Sequence, residues 1–331
     1  MKQATILVTG GAGYIGSHVV VQLRARGERV VVLDDLSRGF RQAVLDTPLV
    51  VGQVGDRDTV LKVLREHEVD TVMHFAAYTI VPESVQEPLK YYGNNTCSTR
   101  SLVQSCLESG VKHFVFSSTA AVYGTPPDGV AAESSPTAPI NPYGTSKLMS
   151  EWMLRDVCAA SPLEHVALRY FNVAGSDSQC RVGQATPKAT LLVKVACEAA
   201  VGKRPHVSVF GTDYPTPDGT GVRDYIHVED LATAHLNALD YLRAGGASTV
   251  LNVGYGHGYS VREVLQSVER VAGERLTVIE EARRAGDPPA LVARADRIRK
   301  ELGWKPRLDD LDTIVRTALA WEKRLLREPW A

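Results

Sequence analysis

The run Thr9-Gly10-Gly11-Ala12-Gly13-Tyr14-Ile15-Gly16 joins a short β-branched segment, Thr5–Thr9, to an apolar helical pattern from Tyr14 to Arg26. Glycine at Gly10, Gly13 and Gly16 permits a tight turn and the close approach of a pyrophosphate. The helix that opens at Tyr14 and Ile15 offers unpaired N–H groups and the positive end of a dipole. An acid, Asp34, closes the next apolar run, Arg29–Leu33, about 18 residues beyond Gly16, the place for a contact to a ribose hydroxyl. A carboxylate there repels a 2′-phosphate, so the expected cofactor is NAD rather than NADP, with Arg38 nearby as a partial counterweight. Asp56 ends the run Leu49–Val54 and is a candidate acceptor for an adenine amino group, or else a turn acid. Phe75, Ala76 and Ala77 close another strand with small residues that suit a ribose or phosphate passing near the backbone, although core packing explains them nearly as well.

Outward from this loop the first half alternates strands and helices. Strands are predicted at Thr71–Phe75, His113–Ser117 and His165–Tyr170, and helices at Arg57–His67, Leu89–Ser109 and Tyr143–Ala160. Such alternation implies an α/β fold with a Rossmann-type, doubly wound parallel sheet whose ligands bind beyond the carboxyl ends of the strands. The composition shifts near Ala174–Gly183. Later loops are richer in Gly and Pro, helices read as shorter and strands as fewer. Residues 1–174 are therefore expected to form the NAD-binding domain and 175–331 a smaller C-terminal α/β substrate lobe. Segments near 223–255 are readable as returning to the main sheet.

Bulk properties exclude several function classes. With 331 residues, 44% hydrophobic and 23% charged, the chain is an ordinary globular one with room for a large core. A formal net charge of −1 argues against binding nucleic acid or an anionic membrane. Cys97, Cys106, Cys158, Cys180 and Cys197 are odd in number and form no CxxC pair, which fits a reduced compartment and no zinc scaffold. Met1–Thr5 runs straight into a strand, and no apolar run of membrane-spanning length occurs, so a cytoplasmic location is expected.

Tyr143-Gly144-Thr145-Ser146-Lys147 carries the chemistry. Four residues apart on a helix, the phenol and ammonium share one face. The ammonium is then expected to lower the phenol's pKa, which allows Tyr143 to act as a base near neutral pH. A hydroxyl cluster, Ser117-Ser118-Thr119, lies upstream. By itself the Tyr–Lys pair reads as a half-exposed helical tyrosine and a solvated lysine; the glycine loop and the hydroxyl cluster together make it specific.

These motifs, with Asn94-Asn95-Thr96, resemble the extended short-chain dehydrogenase/reductase group. Four segments are similar to the UDP-glucose 4-epimerases within it: Gly10–His18, Ser117–Gly124, Arg169-Tyr170-Phe171-Asn172, and Asp213–Thr216 continuing through Asp218–Val228. The resemblance covers about Ile6 to Pro306. It implies interconversion of UDP-glucose and UDP-galactose with tightly held NAD. C4 is oxidised to a 4-keto sugar, which turns over in the site and is reduced on its other face. It also implies roles. Tyr143 is the base, Lys147 its partner and a cofactor ligand, and Thr119 the hydroxyl beside O4. Asn95 and Tyr170 lie near the cofactor. Asn172, Phe210, Arg223, Arg284 and Asp287 hold the nucleotide diphosphate and uridine, with Phe210 stacked on uracil, and Leu192 offers a backbone N–H. A homodimer paired through helices near Leu89–Ser109 and Tyr143–Ala160 is implied as well.

Three positions depart from the family's pattern. Thr79 replaces a Lys, Leu191 an Asn or His near the uridine, and Leu291 a Tyr facing the hexose. Rival readings are another nucleotide-sugar 4-epimerase for N-acetylhexosamines or pentoses, a 4,6-dehydratase or decarboxylase, and a non-catalytic NAD sensor. Dehydratase relatives carry Asp-Glu where this chain has Ala120-Ala121, and sensors typically lose the Tyr or Lys kept here. His74 and His227 read as core histidines, and no second ligand stands at zinc spacing, so no metal is expected. Arg294–Lys300 reads as a solvated helix face and Trp304 as a packing residue.

Overall fold

The five residues of β1, Thr5–Thr9, are all buried, as are the last five of β2, Arg29–Asp34. Near-continuous apolar strands of this kind require cover on both faces, which is the condition of a parallel sheet between helix layers. The computed structural model describes residues 4–187, 189–284 and 287–330, and it contains that sheet. Seven parallel strands run in the order β12-β7-β5-β4-β1-β2-β3, with β3 at Leu49–Val51, β4 at Val69–His74, β5 at His113–Ser117, β7 at Glu164–Tyr170 and β12 at Thr249–Val253. The order reverses between β1 and β4. A crevice opens there at the strands' carboxyl ends, as the doubly wound pattern demands.

Helices α1 (Tyr14–Ala25), α2 (Arg57–Glu66), α5 (Ser98–Glu108), α6 (Pro142–Ala159) and α8 (Val228–Arg243) flank the sheet. Two short turns, α3 (Val81–Gln86) and α4 (Pro88–Tyr91), precede a π-helical stretch at Tyr92–Cys97 that runs on into α5. The predicted helix Leu89–Ser109 is thus one helix with a local widening, and Asn95 sits in the widened turn. The remaining helices are α7 (Leu192–Ala200), α9 (Val261–Ala272), α10 (Asp296–Glu301) and α11 (Leu311–Arg327), of which α7, α9 and α11 pack together.

The expected division at 174/175 is crossed in both directions. β12 and α8, from the second half, complete the main sheet and its cover, as the 223–255 segment allowed. Conversely β6 (Val130–Ala131), from the first half, joins β13 (Tyr259–Ser260), β10 (Val222–Arg223) and β15 (Ala290–Ala293) in a second sheet. Two strand pairs complete the lobe, β8 (Asn172–Ala174) with β11 (Tyr225–His227), and β9 (Val207–Phe210) with β14 (Val278–Glu281). The second half is not poorer in structure: α8 has 16 residues and α11 has 17, against 18 for α6. Its Gly- and Pro-rich loops mark turns between many short strands rather than a loss of order. One hydrophobic cluster runs from Ile6 and Val8 to Val264 and Ile314, so the second lobe shares the core of the sheet.

Asp224 fastens the two lobes. Its carboxylate accepts N–H bonds from Tyr255 (3.0 Å), Gly256 (2.9 Å) and Ala293 (3.2 Å). His74 and His227 are satisfied core residues, as expected: His74 is bonded to the Thr9 and Thr99 hydroxyls, and His227 to Thr317 and the Glu229 N–H. Trp304 is buried, stacks on Tyr255 and donates to the Asp230 carbonyl.

A buried ion pair sets the rotation of α6. Arg169 on β7 meets Glu151 through Nη2–Oε2 at 2.5 Å and Nε–Oε1 at 3.0 Å, and Ser118 donates to the same carboxylate. Arg169 also donates to the Tyr123 hydroxyl at 3.0 Å, which in turn donates to Asn252 Oδ1 at 2.6 Å. Removing one partner strands a charge in the core, at a typical cost of about 3–5 kcal/mol. Urea unfolding of Glu151→Ala is expected to show a loss of about that size. The double change Glu151→Ala with Arg169→Met is expected to lose less than the single one, because no charge is left unpaired. A loss under about 1 kcal/mol for Glu151→Ala would mean the pair does not hold α6.

Candidate active site

The glycine turn is built for close approach. Gly10 has φ +70° and lies against Ala76 after β4, where a β-carbon would meet the Ala76 nitrogen at 2.5 Å. A β-carbon on Gly16 would collide with the Gly10 carbonyl oxygen, so α1 can only start this near the turn with glycine there. Asp34 accepts the Ala12 N–H at 2.9 Å and the Leu36 N–H at 2.8 Å. Burial raises its pKa, and these two bonds act in the opposite sense. The carboxylate therefore stands fixed in a groove lined also by Gly10, Gly13, Gly52, Gln53, Phe75, Ala76, Ala77 and Asn94. The acid, the glycines and the helix N-terminus fit a dinucleotide. Arg38 at the groove's edge lies 3.4 Å from Glu83, so its guanidinium already has an acidic partner.

Asp56 sits at the start of α2. Its carboxylate caps α2, accepting from the Asp58 and Thr59 N–H groups and the Thr59 hydroxyl. These bonds lower its pKa. It is not among the residues that line the groove, and its cap bonds fit the turn-acid reading. Asn95 is likewise engaged elsewhere. It accepts the Tyr78 N–H at 2.9 Å and donates to the Tyr78 carbonyl and the Ser146 hydroxyl. It thereby stitches the segment after β4 to α6.

The groove leads into a cavity of about 410 Å³, within the size range of small-ligand sites. Its walls include Tyr14, Ile15, Thr119, Tyr143, Tyr170, Asn172, Leu191, Arg223, Asp287 and Leu291, which the strand ends and the second lobe bring together from across the chain. Thr79 lines it too. Asn141, an Asn before Pro at the start of α6, caps that helix by accepting the Gly144 N–H at 2.9 Å, and so fixes where Tyr143 emerges. Asn141 and Glu151 were missed in the sequence although both carried signals. One was an N-cap preceding a proline, the other the next i+4 step after Lys147. Tyr78, Gln184 and Thr186 also line the cavity and belong to no motif.

Tyr143 and Lys147 share a face, but their electrostatics differ from expectation. Lys147 donates to the Ser117 carbonyl at 2.8 Å and lies 4.9 Å from the centre of the Phe116 ring. Burial lowers its pKa to about 7, partly offset by Glu151. Burial raises the Tyr143 phenol above its ordinary value, and the hydrogen bond with Thr119 works against that rise. Desolvation penalises both charged forms, so proximity of the lysine does not by itself create an acidic phenol. Tyr170 accepts the Ser117 hydroxyl at 2.9 Å.

On the second lobe, Arg223 donates to the carbonyls of Val222 at 2.8 Å and Pro289 at 3.5 Å, and no carboxylate pairs with it among the described residues. It pairs in register with Leu291. Phe210 and Arg284 do not line the cavity. The Arg284 guanidinium lies 3.6 Å from the centre of the Phe210 ring and covers one of its faces. The reason is topological: β14 pairs with β9 up to Glu281 and Phe210, and the chain beyond carries Arg284 back over the ring. The side chain of Leu192, the first residue of α7, packs against the core, and Leu191 before it lines the cavity.

Residues 6–254 match the model of the NAD dependent epimerase/dehydratase family. The chain is 57% identical over 321 residues to a UDP-glucose 4-epimerase of Azospirillum brasilense, covering 97% of this chain and 92% of that one. It superposes with TM-score 0.93 and 43% identity on a UDP-glucose 4-epimerase from Brucella ovis solved in complex with NAD, covering 96% and 98% of the two chains. A UDP-Glc/GlcNAc 4-epimerase from Campylobacter jejuni is 49% identical, with TM-score 0.85 and coverage of 97% and 99%. By sequence over nearly its whole length, and by fold, the chain belongs to the NAD dependent epimerase/dehydratase family.

Proposed function

We propose that this enzyme interconverts UDP-glucose and UDP-galactose by inverting C4, with NAD held in the Gly10–Gly16 and Asp34 groove. The observation that carries the reading is the cavity that Tyr143, Thr119 and Arg223 line together, in a member of this family. When bound, NAD supplies the hydride acceptor and donor for C4 and a positively charged nicotinamide ring. Tyr143 takes the O4 proton and returns it. Thr119, bonded to the phenol, orients it and can bond the sugar hydroxyl. Positive charge beside the phenol is what it needs to ionise near neutral pH, and protonated Lys147 contributes part of it. Arg223, with no carboxylate partner among the described residues, suits a diphosphate. Asn172 and Asp287 frame the same wall. Anchoring the nucleotide while leaving the hexose loosely held by Leu291 and Tyr170 permits the keto sugar to turn over.

A homodimer is part of the proposal. Leu89, Leu107, Met149 and Trp152 are exposed apolar residues on α4, α5 and α6, the helices named for pairing. Among the described residues no helix is long and apolar enough to cross a membrane. Cytoplasmic location rests on that and on the free cysteines.

Purified protein is expected to convert UDP-galactose without added NAD, and to release NAD rather than NADP on denaturation. Tyr143→Phe should retain that NAD but lose on the order of 10²–10⁴-fold in turnover, the usual loss for a general base. Near-parental activity in Tyr143→Phe would remove the phenol from the mechanism.

Lys147 gives a pH signature. Its folded pKa of about 7 lies below the ordinary value of 10.5. Between these values the unfolded chain holds a proton that the folded one has released, so this group makes stability rise with pH across that window. Below it both states are protonated and the burial penalty is constant. Unfolding free energies of nucleotide-free parent and Lys147→Met, measured from pH 6.5 to 9, should therefore converge or cross in the parent's favour as pH rises. A constant difference would show that the ammonium is not perturbed.

Leu291 sets a size preference. It is nearly buried on the cavity wall beside Arg223, smaller than the family's Tyr and unable to bond an acetamide. UDP-glucose and UDP-galactose should be preferred, with slow conversion of the N-acetylated pair, because small packing differences give about 10–200-fold discrimination. Leu291→Ser should raise, and Leu291→Tyr lower, the kcat/KM ratio for UDP-N-acetylglucosamine over UDP-glucose. A ratio that ignores residue size would mean that Leu291 is not the gate.

A further inference from the structure

The segment following α11 returns to the loop beside the cofactor groove. Trp330, partly buried, packs edge-on against Trp321 of α11, with ring centres 4.9 Å apart at 80°. Its other neighbour is Phe40, at 5.8 Å and 50°. Both separations fall in the range where aromatic rings attract beyond simple area burial. Phe40 belongs to the loop after β2, which includes Arg38 and Gly39 on the groove wall.

From Phe40 the contacts run directly into the glycine turn. The Phe40 N–H donates to the Ala12 carbonyl at 3.0 Å, and Ala12 donates its own N–H to Asp34. Gly39 lies so close to Ala12 that a β-carbon would meet the Ala12 side chain at 2.8 Å. On the other side, Trp321 is buried, donates Nε1–H to the Gln184 carbonyl at 3.1 Å and packs face-on against Gly183. Gln184 lines the substrate cavity. The three rings thus connect the turn that receives the pyrophosphate to the wall of the sugar site.

We propose that Trp330 is a positioning residue for the cofactor, a clasp that presses the Phe40 loop onto the Gly11–Gly13 turn and slows dissociation of the dinucleotide. The proposal rests on the NAD reading above. Trp330 lines neither the groove nor the cavity. Its effect passes through Phe40 and the Phe40–Ala12 backbone bond. Opening the groove to release a dinucleotide requires that loop to lift, and lifting it breaks the ring contact. Epimerisation regenerates NAD at every turnover, so a slow exit does not hinder the reaction.

The test is exchange of bound NAD for isotopically labelled NAD in the purified holoprotein. Trp330→Ala should exchange about tenfold faster than the parent, equivalent to about 1.4 kcal/mol. Trp330→Phe, which keeps a ring against Phe40, should stay within about threefold of the parent. Leu325→Ala, a buried change on α11 outside the three-ring contact, controls for general loosening of the helix. It should lower the melting temperature without matching the accelerated exchange. Parental exchange in Trp330→Ala, or equal acceleration in Leu325→Ala, overturns the clasp while leaving the cofactor assignment intact. A parent protein that neither carries nor takes up NAD overturns both.

Discussion

The buried pair between Glu151 and Arg169 is the constraint around which the site is arranged. Tyr143, Lys147 and Glu151 stand at i, i+4 and i+8 on α6, so fixing the last fixes the phase of the other two. Arg169 belongs to β7 and Ser118 to the end of β5, and both bind the same carboxylate. The Tyr143–Lys147 face of α6 is thereby locked onto the two strands whose ends deliver Ser117, Thr119 and Tyr170. At the other end of α6 the Asn141 cap sets the axial position, and Asn95 ties Ser146 to the segment after β4. A hydrophobic helix face alone would tolerate a slide or a rotation; a paired, desolvated charge does not.

The same burial that fixes the geometry shapes the electrostatics. Burial lowers the Lys147 pKa to about 7 and holds the Tyr143 phenol above its usual range. Both shifts have one cause, removal from water. An active site of this kind is destabilised in its charged forms until opposite or positive charge arrives with its ligands. The electrostatic preparation therefore lies in the placement of groups rather than in a pre-ionised base.

The two lobes meet through shared elements rather than across a linker. β6 crosses from the first half, β12 and α8 return from the second, and Asp224 gathers three N–H groups at the seam. Arg223 and Leu291 are held in register on the second sheet, so the proposed diphosphate anchor and the proposed wall facing the sugar move as one unit. This rigidity suits a reaction in which the nucleotide stays in place while the hexose turns.

Local sequence determined the first half of the fold. Strand limits at Thr5–Thr9 and His113–Ser117 were readable to the residue, because buried parallel strands are unbroken apolar runs and the glycine turn between β1 and α1 has few alternatives. The Tyr143–Lys147 face and the Asp34 acid were legible for the same reason: each is a spacing within one element. What only tertiary structure decided lies between elements. Phe210 keeps an arginine on its ring because β14 pairs with β9, Asp56 caps α2 with its carboxylate, and Leu191 meets the cavity just before the start of α7. The sign of the Tyr143 shift followed burial, which no spacing records. Contacts across long chain separations, such as Trp330 with Phe40, depend on where whole helices come to rest, and that is fixed by the packed core rather than by any local run of residues.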